Sequence, residues 1–207
     1  MCGIFGIALG DKARVRQDDL VRDLALLYEL SQERGRDATG LAVQSEATQV
    51  VRRGGGVPEL LASSAYQGAL AQAWASASPS LTAIGHCRLV TNGSMAVEDN
   101  NQPVVTEHVV GIHNGIVTNA PPAGESSIGE SDTHWLFRKL DAHVAAGSDW
   151  TRACERLFGE IEGTASFAAL GTRRNELVLA TNTGSLYFLE VPGLVVFASE
   201  MGFLERY

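Results

Sequence analysis

The chain has 207 residues, a formal net charge of −8, and 45% hydrophobic and 19% charged residues. That length suits one well-buried domain over residues 1–207, of ordinary globular composition. The acidic balance, with no basic stripe to displace counterions from phosphates, argues against a nucleic-acid binder.

The apolar start, Ile4 to Leu9, is far shorter than a membrane span and lacks a basic leader and cleavage site. A cytoplasmic protein with no membrane association is therefore expected. Cys2, Cys87 and Cys154 are an odd, sparse set rather than a disulfide framework. Cys2 reads as a free thiol in a reducing compartment.

In chain order, Gly3 to Ala8 is a short apolar run of the kind buried in a sheet. Asp18 or Asp19 is placed to cap a helix reaching about Glu33, with Leu20, Leu24, Leu27 and Tyr28 as its apolar stripe. Gly35 is expected to end it. Leu41 to Val43 and Gln49 to Arg52 read as strands. The Gly54-Gly55-Gly56 run is a turn before a second helix from about Pro58 to Ala75. Thr82 to Cys87 and His108 to Ile112 are strand candidates. Ser131 is expected to cap a helix from Asp132 to about Ala146, followed by a short helix near Trp150 to Phe158. Four strands then follow: Ala165 to Leu170, Leu177 to Ala180, Leu186 to Glu190 and Val195 to Ala198. Strands at both ends with helices between them imply an α+β fold with antiparallel sheets.

Several residues carry possible chemistry. An initiator Met before a small residue is normally removed, which would expose the α-amine of Cys2 beside its thiol. With reference pKa values near 8 and about 8.5, one residue can supply both base and nucleophile. A thiolate attacking an amide creates an oxyanion that needs donors in place. His113-Asn114-Gly115 follows an apolar run and is expected at a strand end. There the Asn114 carboxamide and the Gly115 N–H can point at one oxygen; an Asn-Gly turn is the plainer alternative. Arg88 can hold an α-carboxylate in bidentate fashion or serve as a surface ion pair. Asp132 can accept from an α-ammonium or simply complement a helix dipole.

The ordered motifs Met1-Cys2-Gly3-Ile4-Phe5-Gly6-Ile7, Arg34-Gly35-Arg36-Asp37-Ala38-Thr39-Gly40, Gly85-His86-Cys87-Arg88-Leu89-Val90-Thr91, His113-Asn114-Gly115 with Asn119, Ser131-Asp132-Thr133 and Phe197-Ala198-Ser199-Glu200 together resemble the class II glutamine amidotransferases. The resemblance covers nearly the whole chain. It implies a four-layer αββα sandwich of two antiparallel sheets, the N-terminal-nucleophile hydrolase fold. It also implies that Cys2 attacks the side-chain amide of L-glutamine, giving a γ-glutamyl thioester and ammonia, and that water then releases glutamate. By the same resemblance Asn114 and Gly115 form the oxyanion hole, Arg88 binds the glutamine carboxylate, and Asp132 binds its amino group. Thr91 and Asn92 make further substrate contacts. Leu89, Asn92 and His134 depart from the family's usual residues without removing a core catalytic group.

Members usually carry a synthase domain after the glutaminase, and none is recognised here; the chain is expected to be either a free-standing subunit with a separate synthase or acceptor-binding partner, or an excised domain. The alternatives are an N-terminal-Cys amidase acting on another amide, or a silent member of the fold that binds a metabolite or protein. Cys87 and Cys154 read as small core residues. The five histidines show no zinc spacing, so no metal is expected. The triple glycine lacks the Lys-Ser/Thr of a phosphate-binding loop, and no cofactor is implied.

Overall fold

The computed structural model describes residues 2–89, 100–121, 131–173 and 175–207. Thr91 and Asn92 lie outside the described residues.

The elements run β1 (Gly3–Leu9), a 3-10 turn (Lys12–Arg14), α1 (Gln17–Ser31), β2 (Ala38–Gln44), β3 (Thr48–Gly54), α2 (Val57–Leu61), α3 (Ser64–Ala75), β4 (Leu81–Arg88), β5 (Val104–Val105) and β6 (Val109–Val117). They continue with α4 (Asp132–Ala145), α5 (Trp150–Glu160), β7 (Gly163–Gly171), β8 (Leu177–Thr181), β9 (Tyr187–Val191), β10 (Leu194–Ala198) and α6 (Met201–Arg206). A six-stranded sheet has the order β3-β2-β4-β1-β10-β9, and a four-stranded sheet the order β5-β6-β7-β8. Every strand pairing is antiparallel.

Strand alternation sorts the buried apolar residues among three cores. Ile4, Ala42, Ile84, Val110, Ile112, Ala168, Leu170 and Phe197 meet between the two sheets. Phe5, Ile7, Leu41 and Ala83 point the other way, against Leu24, Leu27 and Tyr28 of α1 and Tyr66 and Leu70 of α3. On the far side Phe167 and Ala169 pack against Leu136, Phe137 and Leu140 of α4 and Leu157 of α5. Helices thus cover both outer faces, giving the four-layer αββα sandwich that the motifs imply. The outer helices are held chiefly by apolar burial, at about 1.5–3 kcal/mol for each fully buried large side chain. Tyr28 adds geometry to that burial. Its ring stands edge-on to Phe5 with centroids 4.6 Å apart, and its hydroxyl donates to the Gly40 carbonyl at 2.7 Å.

Most expected elements form, with instructive differences. Helix α1 begins at Gln17 and is preceded by Arg16, which makes no side-chain cap. Asp18 and Asp19 fall in its first turn, where they complement the helix dipole. The helix ends at Ser31, so Gly35 does not cap it. A Cβ on Gly35 would instead lie 2.3 Å from the Arg88 carbonyl carbon and the Leu89 nitrogen. Gly35 is small because another strand's backbone passes over it.

The helix read from Pro58 to Ala75 is two helices. They break at Ala62-Ser63, where the Ser63 hydroxyl accepts from the Tyr66 N–H at 3.2 Å and restarts the chain as α3. The Lys12 ammonium covers the far end of α3, donating to the carbonyls of Ala73, Trp74 and Ser76 at 3.2, 2.9 and 2.9 Å. The 3-10 turn, β5 and α6 are too short for a periodic signal. Among the described residues, no helix is long and apolar enough to cross a membrane.

Candidate active site

Cys2 immediately precedes β1, next to the centre of the six-stranded sheet. Its inner neighbour is β4, paired so that Gly3 faces Cys87. The register therefore brings the last residue of β4, Arg88, alongside Cys2. Alternation turns both toward the opposing sheet: Ile4 and Ile84, on the same faces, belong to the core between the sheets. Two close approaches keep this corner tight. A Cβ on Gly3 would lie 2.7 Å from the Ser31 carbonyl oxygen, and one on Gly40 would lie 2.0 Å from the Gln102 carbonyl oxygen.

One cleft is lined by Cys2, Arg88, Gly115, Asp132, Gln102 and Thr133, among others. The Cys2 Sγ lies 3.8 Å from the Leu89 carbonyl oxygen. Burial pushes the Cys2 thiol above its ordinary range, while the Arg88 guanidinium pulls it down and Asp132 pushes it up. Arg88 is buried, and its Nη1 donates to the Asn101 Oδ1 at 2.7 Å. Asp132 is the first residue of α4. Its Oδ2 accepts from the Val117 N–H and its Oδ1 from the Thr133 N–H, both at 2.9 Å. A cation and an anion thus stand in one cleft with a thiol.

His113, Asn114 and Gly115 were expected at a strand end. They lie within β6, paired with Phe167, Ser166 and Ala165 of β7. This excludes a tight Asn-Gly turn. The short apolar run His108 to Ile112 understates the strand because β6 continues through polar and glycine residues. Gly115 has φ +155°, and a Cβ there would meet the Thr164 carbonyl oxygen at 2.0 Å and the His113 ring at 2.7 Å. Only glycine fits. Asn114 is buried, its Oδ1 has no hydrogen-bond partner among the described residues, and its neighbours His113 and Gly115 line the cleft.

Ser131 was expected to cap α4. Its side chain makes no cap bond and instead meets the His134 Nδ1 at 2.8 Å. Late in the chain, Ser199 accepts at Oγ from the Ile4 N–H at 3.2 Å, and Glu200 pairs with Arg34. The Ala-Ser-Glu and Arg-Gly segments therefore meet behind the nucleophile. Cys87 and Cys154 are free and buried, as their reading as core residues requires. Sequence reasoning missed Asn101 and Gln102, and gave no role to Thr133 although it stands in the Ser131-Asp132-Thr133 motif. The first two sit in a polar run before Pro103 that reads as plain loop, and only their burial distinguishes them.

Among the described residues, no group of three or more His, Cys, Asp or Glu side chains could hold a metal ion.

Two facing antiparallel sheets sheathed by helices, with a cysteine leading into a central strand, define an N-terminal-nucleophile hydrolase fold. The sequence model of the glutamine amidotransferase domain matches residues 86–206, and the chain belongs to that family, in its class II branch. Glutamine–fructose-6-phosphate aminotransferase of Salmonella typhimurium is 31% identical over 194 residues, covering 89% of this chain and 29% of that protein. The Escherichia coli K12 protein of the same name is 30% identical over the same length. The chain thus spans about 29% of the length of these curated relatives. Among solved structures, glutamine phosphoribosylpyrophosphate amidotransferase from B. subtilis superposes with a TM-score of 0.69 at 21% identity. That match covers 99% of this chain and 43% of the other.

Proposed function

We propose that this chain hydrolyses the side-chain amide of L-glutamine, with Cys2 as nucleophile once Met1 is removed. The observation that carries this reading is the shared cleft: a thiol, a buried guanidinium and a carboxylate line it together with Gly115. Arg88 would take the α-carboxylate and Asp132 the α-ammonium, so the two charged ends of an amino acid fix its side chain over Cys2.

The freed α-amine of Cys2, acting through a water, takes the thiol proton as sulfur adds to the amide carbon. The oxygen of the resulting tetrahedral adduct is held by the Gly115 N–H and the Asn114 carboxamide. Collapse breaks the C–N bond. The amine returns the proton to the leaving nitrogen, which departs as ammonia and leaves a γ-glutamyl thioester. Water then adds to the thioester, the sulfur leaves with a proton, and glutamate is released. The oxyanion donors serve both steps.

Ammonia would pass to an acceptor on a synthase partner. This is supported by the aminotransferase and amidotransferase names of the similar proteins and by the share of their length that lies outside the match.

The test is ammonia release from glutamine by Met1-processed protein, with asparagine as the comparison. Glutamine turnover that disappears in Cys2→Ala, with the fold retained, supports the reading. Full activity in Cys2→Ala, or turnover of another amide but not of glutamine, overturns it.

A further inference from the structure

Strand β5 pairs with β6 in a register that sets Val104 against Gly111 and Val105 against Val110. The ladder is also present one step outward, where the Thr106 N–H donates to the Val109 carbonyl at 2.8 Å. In the other direction it stops. Pro103 has no N–H to give, and β5 contains only Val104 and Val105.

Carried two residues further, the same register puts Gln102 opposite His113. There the Gln102 side chain takes the place of a backbone. Its Oε1 accepts from the His113 N–H at 2.6 Å, and its Nε2 donates to the His113 carbonyl at 3.1 Å. The same Nε2 lies 3.3 Å from the Thr133 Oγ1, which in turn meets the His113 Nδ1 at 3.1 Å. Gln102 is buried and lines the cleft.

The carbonyl that Gln102 holds belongs to the peptide joining His113 to Asn114, one residue before Gly115. The neighbouring Asn101 accepts from Arg88. Two adjacent side chains thus tie the proposed carboxylate clamp on one sheet to the proposed oxyanion donors on the other.

We infer that Gln102 is a positioning residue for the oxyanion hole: its carboxamide substitutes for a missing strand and fixes the peptide plane that aims Asn114 and Gly115. This rests on the glutaminase reading above. Gln102 does not touch the reacting amide in this proposal; it acts through β6. Its loss should therefore weaken binding of the tetrahedral adduct while leaving recognition of the α-amino-acid ends in place.

The experiment compares Met1-processed wild type with Gln102→Met, which keeps length and volume but removes both polar atoms. A second variant, Gln102→Glu, keeps an acceptor for the His113 N–H and loses the donor to its carbonyl. Steady-state glutamine hydrolysis is measured together with binding of two probes. The γ-aldehyde analogue of glutamine forms a tetrahedral adduct with Cys2; glutamate has the same charged ends and forms none. Gln102→Met should lower kcat roughly 10–100-fold and weaken the aldehyde by a similar factor. KM and glutamate affinity should stay within about threefold. Gln102→Glu should lose kcat in the same direction.

If either variant folds and keeps kcat within about twofold of wild type, or loses glutamate affinity as much as aldehyde affinity, the inference is wrong. A chain that folds with neither replacement assigns Gln102 to the scaffold and overturns it too. Wild type that does not turn over glutamine defeats the underlying function, a result read on the unsubstituted chain and so separable from the others.

Discussion

Ser199 and Ile4 hold each other by both backbone and side chain. The Ser199 N–H donates to the Ile4 carbonyl at 2.8 Å, and the Ile4 N–H donates to the Ser199 Oγ at 3.2 Å. A residue near one end of the chain thereby anchors the strand that carries the proposed nucleophile near the other. Ser199→Ala removes the side-chain half and leaves a buried N–H unpaired, at a cost of about 1–2 kcal/mol. For a chain of this size that corresponds to a fall in Tm of roughly 2–8 °C. Glutamine turnover should fall as well, because Cys2 lies two residues away. Thermal melts and ammonia release measured on the same preparation check both.

Gly115→Ala forces a side chain onto a backbone at φ +155° and into the Thr164 carbonyl. The strand must shift or the fold must weaken, by about 1–3 kcal/mol for the strained conformation alone. If the Gly115 N–H stabilises the oxyanion, kcat should drop by roughly 100-fold or more in the molecules that remain folded. Urea midpoints combined with kinetics at saturating glutamine separate the two effects. Intact kcat in the folded molecules would contradict a displacement of the Gly115 N–H from the oxyanion.

The Cys2 thiol is raised by burial, lowered by Arg88 and raised by Asp132. The thiolate is the reactive form, so alkylation by iodoacetamide should accelerate with pH and level off only above the ordinary thiol range. Arg88→Met removes a stabilising cation and should move that inflection to higher pH. Asp132→Asn removes an opposing anion and should move it lower. A pH series of alkylation rates tests both signs, and shifts in the opposite directions would contradict this electrostatic picture.

His86 is buried between the sheets, neither ring nitrogen has a hydrogen-bond partner among the described residues, and burial holds its pKa down to about 3. The unfolded chain binds a proton at this residue near pH 6.5 while the folded chain refuses it. The stability is therefore complete above about pH 6.5 and lost as pH falls toward the folded value. The slope should approach 1.4 kcal/mol per pH unit for this group. His86→Leu should flatten the acid limb of a denaturation-midpoint series between pH 6.5 and 4, whatever it does to stability at pH 7.

Much of the fold was legible because burial leaves a periodic trace. The stripe of Leu20, Leu24, Leu27 and Tyr28 marked α1, and the apolar tail segments marked β7 to β10. Cys2, Arg88, Gly115 and Asp132 could be picked out as candidates because each is a charged, nucleophilic or conformationally special type within a recognisable segment, and the fold brings all four to one cleft. Less legible were features created by one segment meeting another. Gly35 looked like a helix stop, yet its partner is the Arg88–Leu89 backbone, more than fifty residues away. Gln102 gave no signal, since an Asn-Asn-Gln-Pro stretch has the composition of an exposed turn. Its role depends on where β5 runs out, which no local pattern encodes.

Cys87 stands beside the start of β1, opposite Gly3, but its thiol is directed to the Tyr28 carbonyl in the helix-facing core. Cys2 opens into the cleft on the other face of the same sheet. Neighbours in register, the two sulfurs belong to different compartments of the protein. The consequence concerns survival under oxidation. A sulfenic acid formed at Cys2 has no resolving thiol at hand within the fold, so it cannot be parked as an internal disulfide and later recovered. Peroxide would thus carry Cys2 toward irreversible oxidation unless an external thiol intercepts it, and the glutamine cleavage proposed for this protein would depend on the reducing power of its surroundings.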